Sequence, residues 1–209
     1  MDSSAARSLV YPVSRSSVIF LPVLAYFLIG ERIDSIGISA IVLILFGTTI
    51  MHMESFNAKG LKSIIKSISS RGSIFALLAA FTVALYTLWD KISVTKMNPI
   101  TYFYLYTFLI AFLYNTFTFS KFSKSEIKSE WSKNKIRIVQ VGFFNSFTYI
   151  LVLIALTMSK ASYVGGLRQL SIVVGVFFGY KLLGEKLNSA KIIGIVVSLT
   201  GAFLIYFSN

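Results

Sequence analysis

The sequence predicts an all-α integral membrane protein with seven transmembrane helices. Three observations carry this. Hydrophobic residues make up 56% of the 209 and charged residues 13%, with a mean hydropathy of +0.76, the composition of a multi-span membrane protein. The apolar residues come in runs of about twenty, the length at which a helix crosses a hydrocarbon core of about 30 Å. Finally, a long apolar hairpin occurs twice, and an internal duplication constrains the architecture more than any local pattern.

The spans are read in order as Leu9 to Ile29, Ile36 to Met53, Ser73 to Trp89, Pro99 to Phe119, Ile136 to Thr157, Ser162 to Leu183 and Ala190 to Phe207. At a rise of 1.5 Å per residue each reaches roughly 25 to 33 Å. Lipid offers no partner to open backbone groups, so these runs must be helices. The opening residues, MDSSAARS, are too short and polar for a separate targeting signal.

Two connections are long and basic. Glu54 to Gly72 carries Lys59, Lys62, Lys66 and Arg71, with Leu61, Ile64, Ile65 and Ile68 at helical spacing opposite the lysines, the pattern of an amphipathic linker on the membrane surface. Ser120 to Lys135 carries Lys121, Lys124, Lys128, Lys133 and Lys135. The net charge of +12 therefore lies mainly in loops, as the positive-inside rule arranges it, and does not point to nucleic acid. Counting Lys and Arg places the N-terminus inside and the C-terminus outside.

The duplicated hairpins are Leu9 to Met53 and Tyr163 to Phe207. One constant shift carries Tyr26 onto Tyr180, Gly30-Glu31 onto Gly184-Glu185, Ser35 onto Ser189, Ile38 onto Ile192 and Gly47 onto Gly201. Gly30 and Gly184 can take the left-handed conformation that ends a helix, and Asp34-Ser35 or Asn188-Ser189 can cap the next one. Glu31 and Glu185 precede Arg32 and Lys186, so neither acid need enter lipid unpaired. Three predicted spans lie between the copies, and a shift of five spans reverses direction through the membrane, giving an inverted repeat.

Gly30-Glu31-Arg32 and Gly184-Glu185-Lys186, each between two spans, together with the stretch from Gly72 to Leu105 in which Trp89-Asp90-Lys91 precedes Asn98-Pro99, resemble the EamA-type domains of the drug/metabolite transporter superfamily. The resemblance implies two five-span inverted repeats, ten helices in all, working by alternating access. On that comparison residues 1–53 correspond to the last two spans of the first repeat, 54–71 to the linker and 72–209 to a complete second repeat, with three spans of the usual pattern absent. It implies a secondary transporter of small metabolites in the cell membrane. The alternative is a non-transporting remnant, or a subunit that needs a complementing chain or a second copy. Family precedent keeps both termini in the cytoplasm, against the loop count.

Polar groups inside spans are expensive in lipid and tend to face a cavity. Arg15 and Arg168 each lie about six residues into a span and run in from opposite faces, where they could attract an anionic or zwitterionic solute; snorkelling to the interface is the alternative. Tyr11, Ser14, Arg15, Val18 and Pro22 share a face, as do Gly165, Arg168, Gln169, Ile172, Gly175 and Gly179, where the glycines also suit close helix packing. Tyr86 and Trp89, with Asn145 and Tyr149, are further candidates for the solute pathway. Asp90 lies beside a span rather than at its centre, which disfavours proton-coupled efflux of cations and favours an amino-acid-like or small anionic solute. The sole histidine, His52, lies at a span end, the chain has no cysteine, and no nucleophile elbow, zinc motif or phosphate loop occurs, so neither an enzyme nor a cofactor or metal is expected.

Overall fold

The computed structural model describes residues 17–51, 71–184 and 187–208. These residues form eight helices and no strand: α1 (Ser17–Ile29), α2 (Ser35–Met51), α3 (Arg71–Lys96), α4 (Pro99–Lys121), α5 (Lys124–Met158), α6 (Ala161–Arg168), α7 (Ser171–Leu183) and α8 (Ser189–Tyr206). Among them are five candidate spans, with α6 and α7 counted as one, and two shorter apolar helices, α1 and α2. The chain divides into two compact units, Met1–Trp89 with Lys160–Asn209, and Asp90–Ser159.

In the first unit α2 and α8, the last helices of the two duplicated hairpins, lie side by side. Each buries a stripe of small residues: Gly37, Ala40 and Gly47 on α2, where Ile44 is buried with them, and Ala190, Gly194, Ser198 and Gly201 on α8. A Cβ on Gly47 would come within 2.6 Å of the Gly194 carbonyl oxygen, one on Gly194 within 2.6 Å of the Gly47 oxygen, and one on Gly201 within 2.7 Å of the Ala40 oxygen. Only backbones without side chains can approach this closely, which in lipid is a main source of helix association. Residue numbers rise along one helix as they fall along the other, so the pair is antiparallel. The shift that relates the hairpins carries Ala40 onto Gly194 and Gly47 onto Gly201, and so exchanges the Gly47–Gly194 contact with the Ala40–Gly201 contact.

Around this pair, Val18 of α1, Ile41 and Ile44 of α2, Tyr163 of α6 and Ile205 of α8 close a common core. α6 is buried from Ala161 to Gly166. The two turns share one backbone geometry: Gly30 and Gly184 both have φ of +66°. The Asp34 carboxylate accepts from the Gly37 N–H at 3.0 Å and the Asn188 side chain from the Lys191 N–H at 2.8 Å, each capping the helix that follows.

The second unit pairs α4 with α5. Asn98 caps α4 through the Ile100 N–H at 2.9 Å, with Pro99 in the first helical turn. Ser123 and Glu126 form a reciprocal capping box at the start of α5.

Three boundaries differ from the sequence reading. The connection read over Ser120 to Lys135 is only Phe122 and Ser123; the rest is the beginning of α5, whose 35 residues reach about 52 Å, some 20 Å beyond the hydrocarbon core. The capping box starts it, and no glycine or proline between Lys124 and Lys135 stops it. α3 does not end at Trp89 but runs to Lys96, where Asn98-Pro99 forces the chain out of helix. The run Ser162 to Leu183 is not one continuous helix. At Gln169 and Leu170 the N–H groups bond the carbonyls of Gly166 and Leu167, both at 3.0 Å, a tightened turn that separates α6 from α7. Glycines precede the break and a serine follows it, a usual cause of kinks without proline.

Candidate functional site

Polar side chains in the described spans gather at three places. The first is the break between α6 and α7. Arg168 closes α6 and is exposed, while Gln169, in the break itself, is 5% exposed. Breaks of this kind turn backbone groups toward the interior of transporters. Within this span Gly165 lies against Leu21, whereas a Cβ on Gly175 would meet nothing within 4 Å.

The second is the end of the α1–α2 turn. Glu31 does not rest on the adjacent arginine, which is exposed. Its carboxylate accepts from the Ala161 N–H at 2.8 Å, the Ser162 N–H at 3.1 Å and the Ser162 hydroxyl at 2.6 Å. These are the opening donors of α6, whose own N-cap, Lys160, makes no side-chain cap bond, so an acid 130 residues away in sequence caps that helix and meets the positive end of its dipole. Beside it Asp34 accepts from the Tyr163 hydroxyl at 3.0 Å. Burial tends to raise the Asp34 carboxyl, but the Gly37 N–H and Tyr163 hydroxyl outweigh it and hold the group below the usual carboxylate range. An open cleft of about 540 Å³ at this turn is lined by Pro22, Tyr26, Glu31 and Arg32 among others, and by none of the described pathway candidates.

The third lies in the second unit. Asp90 sits within α3, 3% exposed, and not beside a span, because the span read to end at Trp89 continues to Lys96. Its Oδ1 accepts from the Tyr102 hydroxyl of α4 at 2.8 Å and the Tyr149 hydroxyl of α5 at 2.9 Å. The Tyr106 ring lies 6.2 Å from that of Tyr102 and 5.3 Å from that of Tyr149, and the Phe103 ring lies 6.1 Å from that of Tyr149. Lys91 turns its ammonium to the last carbonyls of α5, Leu156 at 2.6 Å, and to Ser159 at 2.9 Å, where a cation suits the negative helix end. The adjacent acid and base thus serve separate ends of one helix junction.

Of the other residues picked from sequence, Tyr86 and Trp89 are 41% and 69% exposed and belong to the first unit, while Asn145, exposed, and Tyr149, half-buried, belong to the second. Tyr11, Ser14, Arg15 and Glu185 lie outside the described residues, as do His52 and the linker up to residue 70. Sequence reasoning missed Ser162, Tyr163 and Tyr102. The signal for Tyr102 was available, since a tyrosine one turn into the helix after Asn98-Pro99 can fold back on an acid in the preceding helix.

A search against known families matches residues 70–207, two thirds of the chain, to the EamA-like transporter family. The chain belongs to the EamA-like transporter family. This EamA-like chain is 25% identical over 192 residues to an uncharacterized transporter from Methanothermobacter thermautotrophicus, covering 92% of this chain and 54% of that protein. It is 26% identical over 201 residues to an uncharacterized transporter from Clostridium kluyveri, covering 93% and 61%. The EamA-like chain thus spans a little over half the length of these curated relatives. No solved structure matches it. With five spans' worth of apolar helix and this membership, it is a multi-pass membrane protein surrounded by lipid.

Proposed function

We propose that this EamA-like chain is a secondary transporter of small metabolites, amino-acid-like or small anionic solutes, working by alternating access in the cell membrane. The observation that carries the reading is the antiparallel α2–α8 pair, whose close contacts exchange under the duplication shift. Two copies of one unit related in this way form the core of an inverted repeat, and rocking one copy against the other opens a midplane site first to one side and then to the other. α1, α2 and the broken helix α6–α7 are spans of that arrangement, which has seven spans here and ten in the full pattern. Arg168 and Gln169 at the break, with Arg15, Tyr11 and Ser14 on the equivalent earlier span, attract and orient the solute from the two sides. Tyr86, Trp89, Asn145 and Tyr149 line its path.

The test is counterflow in liposomes holding the purified chain, with a panel of amino acids and small organic anions. The reading expects exchange of at least one solute, reduced tenfold or more in Arg168→Ala with the protein still folded. Exchange no faster than in protein-free liposomes rejects it. A second reading, in which transport needs helices from a second copy or a complementing chain, is favoured by the limited share of the relatives that this chain covers. On that reading exchange is restored by co-reconstitution with the complementing helices.

A further inference from the structure

We infer that the tip of the α4–α5 hairpin is a binding site for an anionic phospholipid, whose phosphate sits between Lys128 and Lys135 beside Trp131 and whose acyl chain enters the cleft next to them. Such a site is independent of any transport activity. The apolar run of α5 begins at Ile136, and the helix before it, from Lys124, extends about 18 Å out of the hydrocarbon core. Trp131 lies about 8 Å beyond Ile136 along the axis, level with a headgroup layer about 5–8 Å thick on each side of the core. Tryptophan favours that level.

Charge on this segment is sorted by face. At 3.6 residues per turn Lys124, Lys128 and Lys135 share one flank with Trp131, whereas Glu126 and Glu130 share the other with Lys133 and Arg137. The two acids are balanced on their own flank and are already engaged. Glu126 Oε2 accepts from the Ser123 N–H and hydroxyl, each at 2.8 Å, and Glu130 Oε1 from the Asn134 amide at 2.6 Å. That leaves little for the ammonium of a zwitterionic lipid. The lysine flank has no acid in α5 before Ile136, and α4 contains none. Its three lysines are exposed. Lys128 and Lys135 stand about 10 Å apart along the axis, on either side of Trp131, and lysine stems are long enough to converge on one phosphate at the interface.

The acyl chain has a place beside them. An open cleft of about 480 Å³ between the end of α4 and the start of α5 is lined by Phe122, Ile127, Trp131 and Ile138, with Glu126 and Glu130 along one edge. Ile138 belongs to the apolar run, so the cleft leads from the headgroup level toward the bilayer. Its apolar walls suit an acyl chain, and the unlike charges of its two edges hold an anionic headgroup on the lysine side.

The chain has two tryptophans, so Trp89→Phe leaves Trp131 as the sole indole reporter. The experiment reads its fluorescence in the full chain reconstituted into equal mixtures of phosphatidylcholine and phosphatidylglycerol, with brominated acyl chains on one lipid or on the other. Quenching is expected to be about twofold or more stronger when phosphatidylglycerol carries the bromine. Lys128→Gln combined with Lys135→Gln should bring the two lipids to equality. Lys133→Gln combined with Arg137→Gln removes the same charge from the other flank and should keep the preference. Equal quenching by the two lipids before any lysine is changed overturns the inference, and so does quenching by neither, which would leave the tip in water facing a soluble partner. Equal loss of preference in both double variants reduces the effect to net charge and also overturns the site. Where Trp89→Phe does not fold, the difference between the wild type and Trp131→Phe reads the same signal, because Trp131 is 52% exposed and its replacement leaves the helix intact.

Discussion

The α2–α8 pair and the helices around Asp90 solve one problem in opposite ways. Apolar side chains gain little by meeting each other in lipid, so helices need another reason to associate. α2 and α8 bring backbones together over Gly47, Gly194 and Gly201, and the only buried side-chain polar atom left unbonded among the described residues is the Ser198 hydroxyl, in the middle of this contact. α4 and α5 carry large aromatic residues that mostly face outward, such as Phe108, Phe112, Phe143 and Phe147, and are tied to α3 by hydroxyl-to-carboxylate bonds. The first contact is tight and tolerates no added atom. The second depends on a few polar groups.

The comparison can be broken most severely at the seam. Gly47→Leu or Gly194→Leu places a side chain against backbone and should cost more than the 1–3 kcal/mol typical of overpacking, seen as loss of monodisperse protein on heating in detergent. Gly175→Leu, into open space, should leave thermal stability within about 0.5 kcal/mol of the wild type. Next comes the junction. Asp90→Ala strands the Tyr102 and Tyr149 hydroxyls and should cost about 1–3 kcal/mol, whereas Tyr104→Phe, at an exposed hydroxyl-bearing ring, should cost nothing measurable in the same melt.

Smaller effects sharpen the repeat itself. A Cβ on Gly30 or Gly184 meets nothing within 4 Å, so Gly30→Ala and Gly184→Ala should each cost about 1 kcal/mol from the left-handed backbone alone. Equal losses in chemical denaturation would match the shared geometry of the turns, and unequal losses would separate them. The smallest effect is at Asp34, whose carboxyl lies below its usual value. Its contribution is present above the unfolded value of roughly 3.9 and is lost as the pH falls through the lower folded value. Asp34→Asn should therefore lower stability slightly at neutral pH and flatten the acid side of the profile, so that the two proteins converge as the pH falls.

Much of the fold was legible because lipid and duplication both leave regular marks. The two turns could be read from Gly30 and Gly184, and their caps from Asp34 and Asn188, since local backbone chemistry dictates both. The seam was not legible. A glycine in a span announces close packing but not its partner, and only the structure pairs Gly47 with Gly194 and not with its own copy, Gly201. α5 was cut short because its lysines read as a loop, although Ser123 and Glu126 already spelled a helix start. Asp90 was set aside because the apolar run was read to end at Trp89, which left the acid beside the span and not at its centre. The partners lie on other helices, and Glu31 likewise finds its partners more than a hundred residues away, where no local pattern points.

The central claim is that the two hairpins lie in opposite orientations across the membrane. The chain has no cysteine, so a single thiol placed at Arg32 or at Leu187 reports one turn alone. Labelling of sealed, oriented vesicles with a membrane-impermeant maleimide should modify Arg32→Cys and Leu187→Cys from opposite sides. Modification of both from the same side would contradict the account.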